Sequence, residues 1–77
     1  MSDNFDKQLG SALSILRKRA NLTQDEVGKR MEIGKAAVSH YETGIRSMYA
    51  ETLQSYCKAI GCKIQDAYDL MDKLGNK

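Results

Sequence analysis

An all-α domain of five helices, with a helix-turn-helix in its first half, is the fold class that this 77-residue sequence predicts. Three observations predict it. Apolar residues recur every three or four positions in four segments, those of the first, third, fourth and fifth helices. One segment opens with a complete capping sequence, Thr23 to Glu26. Residues that can stop a helix in a left-handed conformation, Asn21, Gly44 and Gly61, fall between segments. With 42% hydrophobic residues, no proline and no tryptophan, the composition is that of an ordinary compact chain. A chain of this length makes one domain, residues 1–77, and buries only about 60% of the surface its unfolded form exposes, so a small core is expected.

Leu9, Leu13, Leu16 and Ala20 place an apolar stripe on a first helix from about Asp6 to Ala20, which Asn21 can close. In Leu22-Thr23-Gln24-Asp25-Glu26-Val27, Thr23 can cap the backbone of Glu26 while the Glu26 side chain reaches back, and Leu22 can staple onto Val27. A second helix runs from there to about Met31. Gly28 lies inside it at a cost of about 1 kcal/mol relative to alanine, which suggests close packing of another helix. Across Ile33 to Thr43, a wheel at about 100° per residue gathers Ile33, Ala37, Val38 and Tyr41 on an inward arc. Lys35, Ala36, Ser39 and Thr43 take the opposite arc, His40 its flank, and Gly44 ends this third helix. Leu53, Tyr56, Cys57 and Ile60 mark a fourth helix stopped by Gly61; Ile64, Ala67, Met71 and Leu74 mark a fifth over about 64–74. The first few residues and Gly75-Asn76-Lys77 are expected to fray.

Several function classes find no support. Cys57 and Cys62 are the only cysteines, and their five-residue separation matches neither a CxxC redox pair nor a paired-ligand zinc pattern, so both are expected as reduced core thiols. His40 is the only histidine, and no nucleophile and base stand at a recognisable spacing, so no enzymatic activity, metal or cofactor is expected. No apolar run approaches the roughly 20 residues of a membrane span, and the start is too polar for a signal peptide; the cytosol is the expected compartment. The net charge of +2 is modest, but it is unevenly placed. From Lys7 to Arg46 eight basic residues face four acidic ones, whereas Ser47 to Lys77 holds four of each. A basic first part is the footprint of a phosphate-facing surface, although a solvated helix face can look the same.

Two short helices joined through Met31-Glu32-Ile33-Gly34, behind a basic first helix, form the arrangement whose second member enters the DNA major groove. The outward arc of that member carries small or polar side chains and one lysine, as suits a helix whose backbone must approach a partner closely. The stretches Leu13-x-x-Leu16-Arg17, Leu22-Thr23-Gln24-Asp25-Glu26-Val27-Gly28, Val38-Ser39-x-Tyr41-Glu42-x-Gly44, and Thr52-Leu53 with Ala59-Ile60-Gly61 resemble the Cro and phage-repressor type (xenobiotic-response-element-like) helix-turn-helix family over residues 9 to 71. The resemblance implies a lambda-repressor-like fold and a sequence-specific transcriptional regulator, a repressor or controller-type protein, bound to double-stranded operator DNA.

Site residues follow from the same resemblance. Lys35, Ala36, Ser39 and His40 stand where family members touch base edges: Lys35 can donate to guanine, His40 can donate or accept, Ser39 tolerates several bases and Ala36 can pack on a thymine methyl. Gln24 resembles the glutamine that binds a phosphate and buttresses the start of the recognition helix, a double role its amide can fill. Thr23, Thr43, Arg46 and Ser47 are further phosphate candidates, the last two in the loop after that helix. Arg17 and Glu42 match a structural ion pair that ties the first helix to the end of the third. The sequence also departs from the family: Glu32 stands where glycine is usual, Gly34 replaces the usual cap, and Met48 replaces a common proline.

One recognition helix reads only a few base pairs, so a homodimer on a palindromic operator is expected. Ile64, Ala67, Tyr68, Met71 and Leu74 on the fifth helix are the candidate interface, with the alternative that this helix merely lids a monomer. Two other classes stay open: a protein-interaction module of the same fold, such as an antitoxin or antirepressor subunit, and a nonspecific nucleoid-type binder.

Overall fold

Leu9, Ala12 and Leu13 bury one side of a long first helix, α1 (Ser2–Arg19), which four shorter helices follow, α2 (Gln24–Met31), α3 (Lys35–Thr43), α4 (Ala50–Ile60) and α5 (Ile64–Gly75); α3, α4 and α5 pack on α1, and α2 packs on α3 and α4. The computed structural model describes residues 2–75, and no strand occurs among them. The five predicted helices are all present. α1 begins at Ser2 rather than near Asp6, and α5 includes Gly75, one residue beyond the expected 64–74. The reason is tertiary: α1 and α5 make the most extensive helix pair, with Gln8 beside Gly75. Met1, Asn76 and Lys77 lie outside the described residues.

The ends of the short helices are set locally. Asn21 takes φ 61° and closes α1. Thr23 Oγ1 accepts from the Glu26 amide at 3.1 Å, and the Glu26 carboxylate accepts from the Thr23 amide at 2.8 Å, completing the capping box. Those bonds hold the exposed Glu26 carboxyl below its usual range. α2 ends on Glu32 at φ 61°, ψ 40°, a left-handed conformation for a residue with a side chain. The third helix starts at Lys35, after the joint Met31-Glu32-Ile33-Gly34 read from the sequence. Gly34 precedes it without a side-chain cap.

Gly28 does not admit a neighbouring helix, as expected from its position, but the turn itself: a Cβ there would lie 2.8 Å from the Ile33 carbonyl, whose own amide donates to Gly28 O at 2.8 Å. A second close approach went unread in the sequence. Gly10 lies against the backbone carbonyls of Tyr41 and Glu42, where a Cβ would clash with both, so α1 crosses the end of α3 at backbone contact. Val27, Val38, Leu53, Tyr56 and Ala67 complete the core from the other four helices.

Candidate nucleic-acid interface

The recognition helix is held from behind by one carboxylate. Glu42, on α3, is buried, and four donors from three other helices or their flanks converge on it. Arg17 of α1 binds it through Nε (2.7 Å) and Nη2 (3.1 Å), Gln24 of α2 donates from Nε2 at 3.0 Å, and the Tyr56 hydroxyl of α4 donates to Oε2. Arg17 Nη1 also donates to the Leu22 carbonyl at 2.8 Å, so the guanidinium spans the α1–α2 corner as well. Burial pushes the Glu42 carboxyl upward, but the bonds from Arg17, Tyr56 and Gln24 outweigh it and hold it below its usual value. Its partners move the other way. The bond to Glu42 raises Arg17, and burial followed by the same carboxylate raises Tyr56.

The Arg17–Glu42 ion pair expected from the sequence is therefore present, with one correction, at Gln24. Glu42 turns inward, because a two-pronged guanidinium and a phenol satisfy its oxygens there. Gln24 buttresses the end of the recognition helix, through Glu42, and not its start. Tyr56, which periodicity marks only as core, is the third arm of this cluster. A tyrosine rather than phenylalanine at a fully buried position was the available signal.

In front of the clamp, α3 presents the predicted base-edge residues together. Lys35, Ala36 and His40 are exposed and Ser39 is half-buried, all within one and a half turns. Among the described residues Lys35 has no ion-pair partner; the two ion pairs are Arg17–Glu42 and the exposed Asp25–Lys29. The inward arc is only partly inward, since Val38 is fully buried while Ala37 and Tyr41 are half-covered.

The phosphate candidates stand less freely. Thr23 is exposed, but its hydroxyl serves as the cap of α2. Gln24 keeps one amide hydrogen beyond the one given to Glu42. Thr43 gives its single hydroxyl hydrogen back to Ser39 O at 2.9 Å, with His40 O at 3.4 Å, so donation to a phosphate would require that rotor to turn. Ser47 donates to Asp6 at 2.7 Å, tying the loop to α1. Arg46 is exposed, and its guanidinium lies over the Tyr41 ring, 5.3 Å from the centroid, which fixes its direction without consuming its donors.

On α5, the candidate interface is largely spent inside the chain. Ala67 has no exposed surface and Met71 8%, so both belong to the core of a single chain, and Ile64 and Leu74 are half-buried against it. Tyr68, 41% exposed, is the member left facing outward. The expected surplus failed because α5 packs on α1 as well as on α4, and one helical stripe cannot satisfy both neighbours and a partner.

Among the described residues no cluster of His, Cys, Asp and Glu could hold a metal, and no helix is long and apolar enough to cross a membrane. Both cysteines are free, and burial pushes the Cys57 thiol up to about 12, the character of an unreactive core thiol.

Residues 8–69 match the helix-turn-helix domain family. The chain is 36% identical over 59 residues to antitoxin HigA1 of two Mycobacterium tuberculosis strains, a match covering 77% of this chain and 40% of that protein, so the chain spans about two fifths of the curated relatives it matches. Its structure is similar to that of the clp gene regulator ClgR from C. glutamicum, with a TM-score of 0.87 and 25% identity over 90% of each chain.

Proposed function

Because the chain belongs to the helix-turn-helix domain family, we propose that it is a sequence-specific transcriptional regulator, a repressor or controller-type protein that inserts α3 into the major groove of a palindromic operator as a homodimer. One observation carries this reading: α3 holds Lys35, Ala36, Ser39 and His40 outward as a group while its inner side is anchored to three other helices through Glu42. A helix positioned rigidly, with small and polar side chains facing out, is what reading base edges requires. Lys35 and His40 supply donors for the bases, Ala36 an apolar contact, and Ser39 a tolerant hydroxyl. Gln24 and Arg46 are the phosphate ligands with hydrogens to give; Thr23, Thr43 and Ser47 take that role only by releasing a bond they already make. The similarity to ClgR, named as a gene regulator, supports the same reading. Footprinting of the purified chain on DNA upstream of its own gene is the test. Protection of two half-sites about one helical turn apart is expected, whereas uniform protection of any duplex would make it a nonspecific binder.

The similarity to antitoxin HigA1 favours a second reading, in which the same domain is a protein-interaction module, an antitoxin subunit whose recognition helix faces a partner protein. Salt-dependent retardation of DNA by the isolated chain separates a regulator from a module that only binds protein.

A further inference from the structure

We infer that the face of α1 beside the recognition helix is a second seat for the DNA backbone, in which Lys18 and Ser14 grip one phosphodiester; this rests on the DNA-binding reading above. An open hollow of about 380 Å³ lies where α1, α2 and α3 meet. Its α1 wall is Ser11, Ser14, Ile15, Arg17 and Lys18, of which Ser11, Ser14 and Lys18 are three to four residues apart and therefore on one helical face; Gln24, Glu42 and Thr43 close the other sides. Beside Ile15 and the Arg17–Glu42 pair, the lining thus offers hydroxyls, an amide and an ammonium, the donor set that binds a phosphate diester. Its charge also suits an anion. Lys18 is exposed and, among the described residues, has no ion-pair partner, while the carboxylate in the wall, Glu42, is compensated by Arg17 and has both oxygens occupied. With Lys18 and Arg17 against Glu42, the hollow carries one net positive charge.

Position completes the argument. Thr43 lines the hollow and belongs to the outward arc of α3 with Lys35, Ala36 and Ser39, so one wall of the hollow lies on the helix face that the DNA-binding reading turns to the groove. A helix lying in a major groove about 12 Å wide has a phosphate strand along its flank. The α1 wall stands on that flank. The third residue of the face shared by Ser14 and Lys18, Ser11, is exposed and offers a hydroxyl one turn further along.

The test compares wild-type chain, Lys18→Gln, Ser14→Glu and, on the far helix α5, Lys73→Gln. Each is titrated against a duplex selected from a random pool by the wild type and against a scrambled duplex, between about 50 and 200 mM NaCl, with circular dichroism to verify the fold. Lys18→Gln should lower the slope of log affinity against log salt by about 0.9, so that the loss of affinity over this range shrinks about threefold, equally for both duplexes. Ser14→Glu should weaken both duplexes at least tenfold, and Lys73→Gln should behave as wild type. A folded Lys18→Gln chain with the wild-type slope, or folded Ser14→Glu chain with wild-type affinity, overturns the seat while leaving DNA binding intact. If the wild type itself shows no salt-dependent binding, the DNA reading falls and the seat with it.

Discussion

Glu32 shows how a single residue can carry a misfit that its surroundings tolerate. Its left-handed backbone is needed for the α2–α3 turn, where Ile33 must return its amide to Gly28, yet a side chain there costs about 1–2 kcal/mol. Glu32 is exposed and among the described residues makes no ion pair, so nothing offsets that cost. Glu32→Gly should therefore stabilise the domain by about 0.5–1 kcal/mol, the gain being reduced by glycine's entropy, without changing operator preference. A thermal melt decides it; a lower melting temperature would mean that the carboxylate has a role. Lys35 answers to a different measurement. Lys35→Ala should weaken specific binding by about 1–3 kcal/mol and relax the requirement at one base pair, readable by affinity across a set of single-base operator variants. Uniform weakening across the set would move Lys35 to the phosphate-binding group.

Among elements, the decisive relation is the joint of α3 to α1, α2 and α4 through Glu42. Gly10 lets α1 come down to the α3 backbone, and that approach brings Arg17 to the carboxylate. Because the folded Glu42 carboxyl titrates below its unfolded value, it contributes stability that is present above the ordinary value of 4.5 and is lost as pH falls through the depressed folded value. Arg17 is raised from an already high value, so its charge is constant across that window. Melting temperature should thus fall on acidification below pH about 4.5, and Glu42→Gln should flatten that fall while costing about 3–5 kcal/mol at pH 7 by leaving Arg17 buried without its charge partner. The flattening is incomplete, since Glu26 titrates in the same direction. An acid limb of unchanged steepness in Glu42→Gln would assign the pH dependence to other carboxylates.

At the scale of the whole molecule, assembly is where burial redirects the experiment. Met71→Asp would place a carboxylate in the core and unfold the chain, so it says nothing of a dimer. Tyr68 and Phe5, 41% and 46% exposed, are the apolar residues of α5 and α1 that a partner can reach. Tyr68→Asp should leave the monomer folded and, if α5 joins two copies, shift sedimentation at micromolar concentration from dimer to monomer and lower affinity for a two-half-site operator while sparing a single half-site. Wild-type chain that sediments only as monomer, both free and on DNA, would remove the homodimer.

Much of this was legible in the chain itself, for a local reason. Helix starts and stops depend on neighbours within four residues, so the Thr23–Glu26 capping box, the stops at Asn21, Gly44 and Gly61, and four apolar stripes could be read directly. Helical period placed Lys35, Ala36, Ser39 and Thr43 outward with His40 at their flank, and of these only Ser39 is half-buried. Tertiary structure decided what lies between elements: that Glu42 turns inward, that Gln24 and Tyr56 join Arg17 on it, that Ser47 is tied to Asp6, and that Ala67 and Met71 belong to the core. Periodicity assigns a residue to a side of its helix. Which neighbour covers that side depends on packing between segments far apart in sequence, here the backbone contact at Gly10 and the run of α5 along α1.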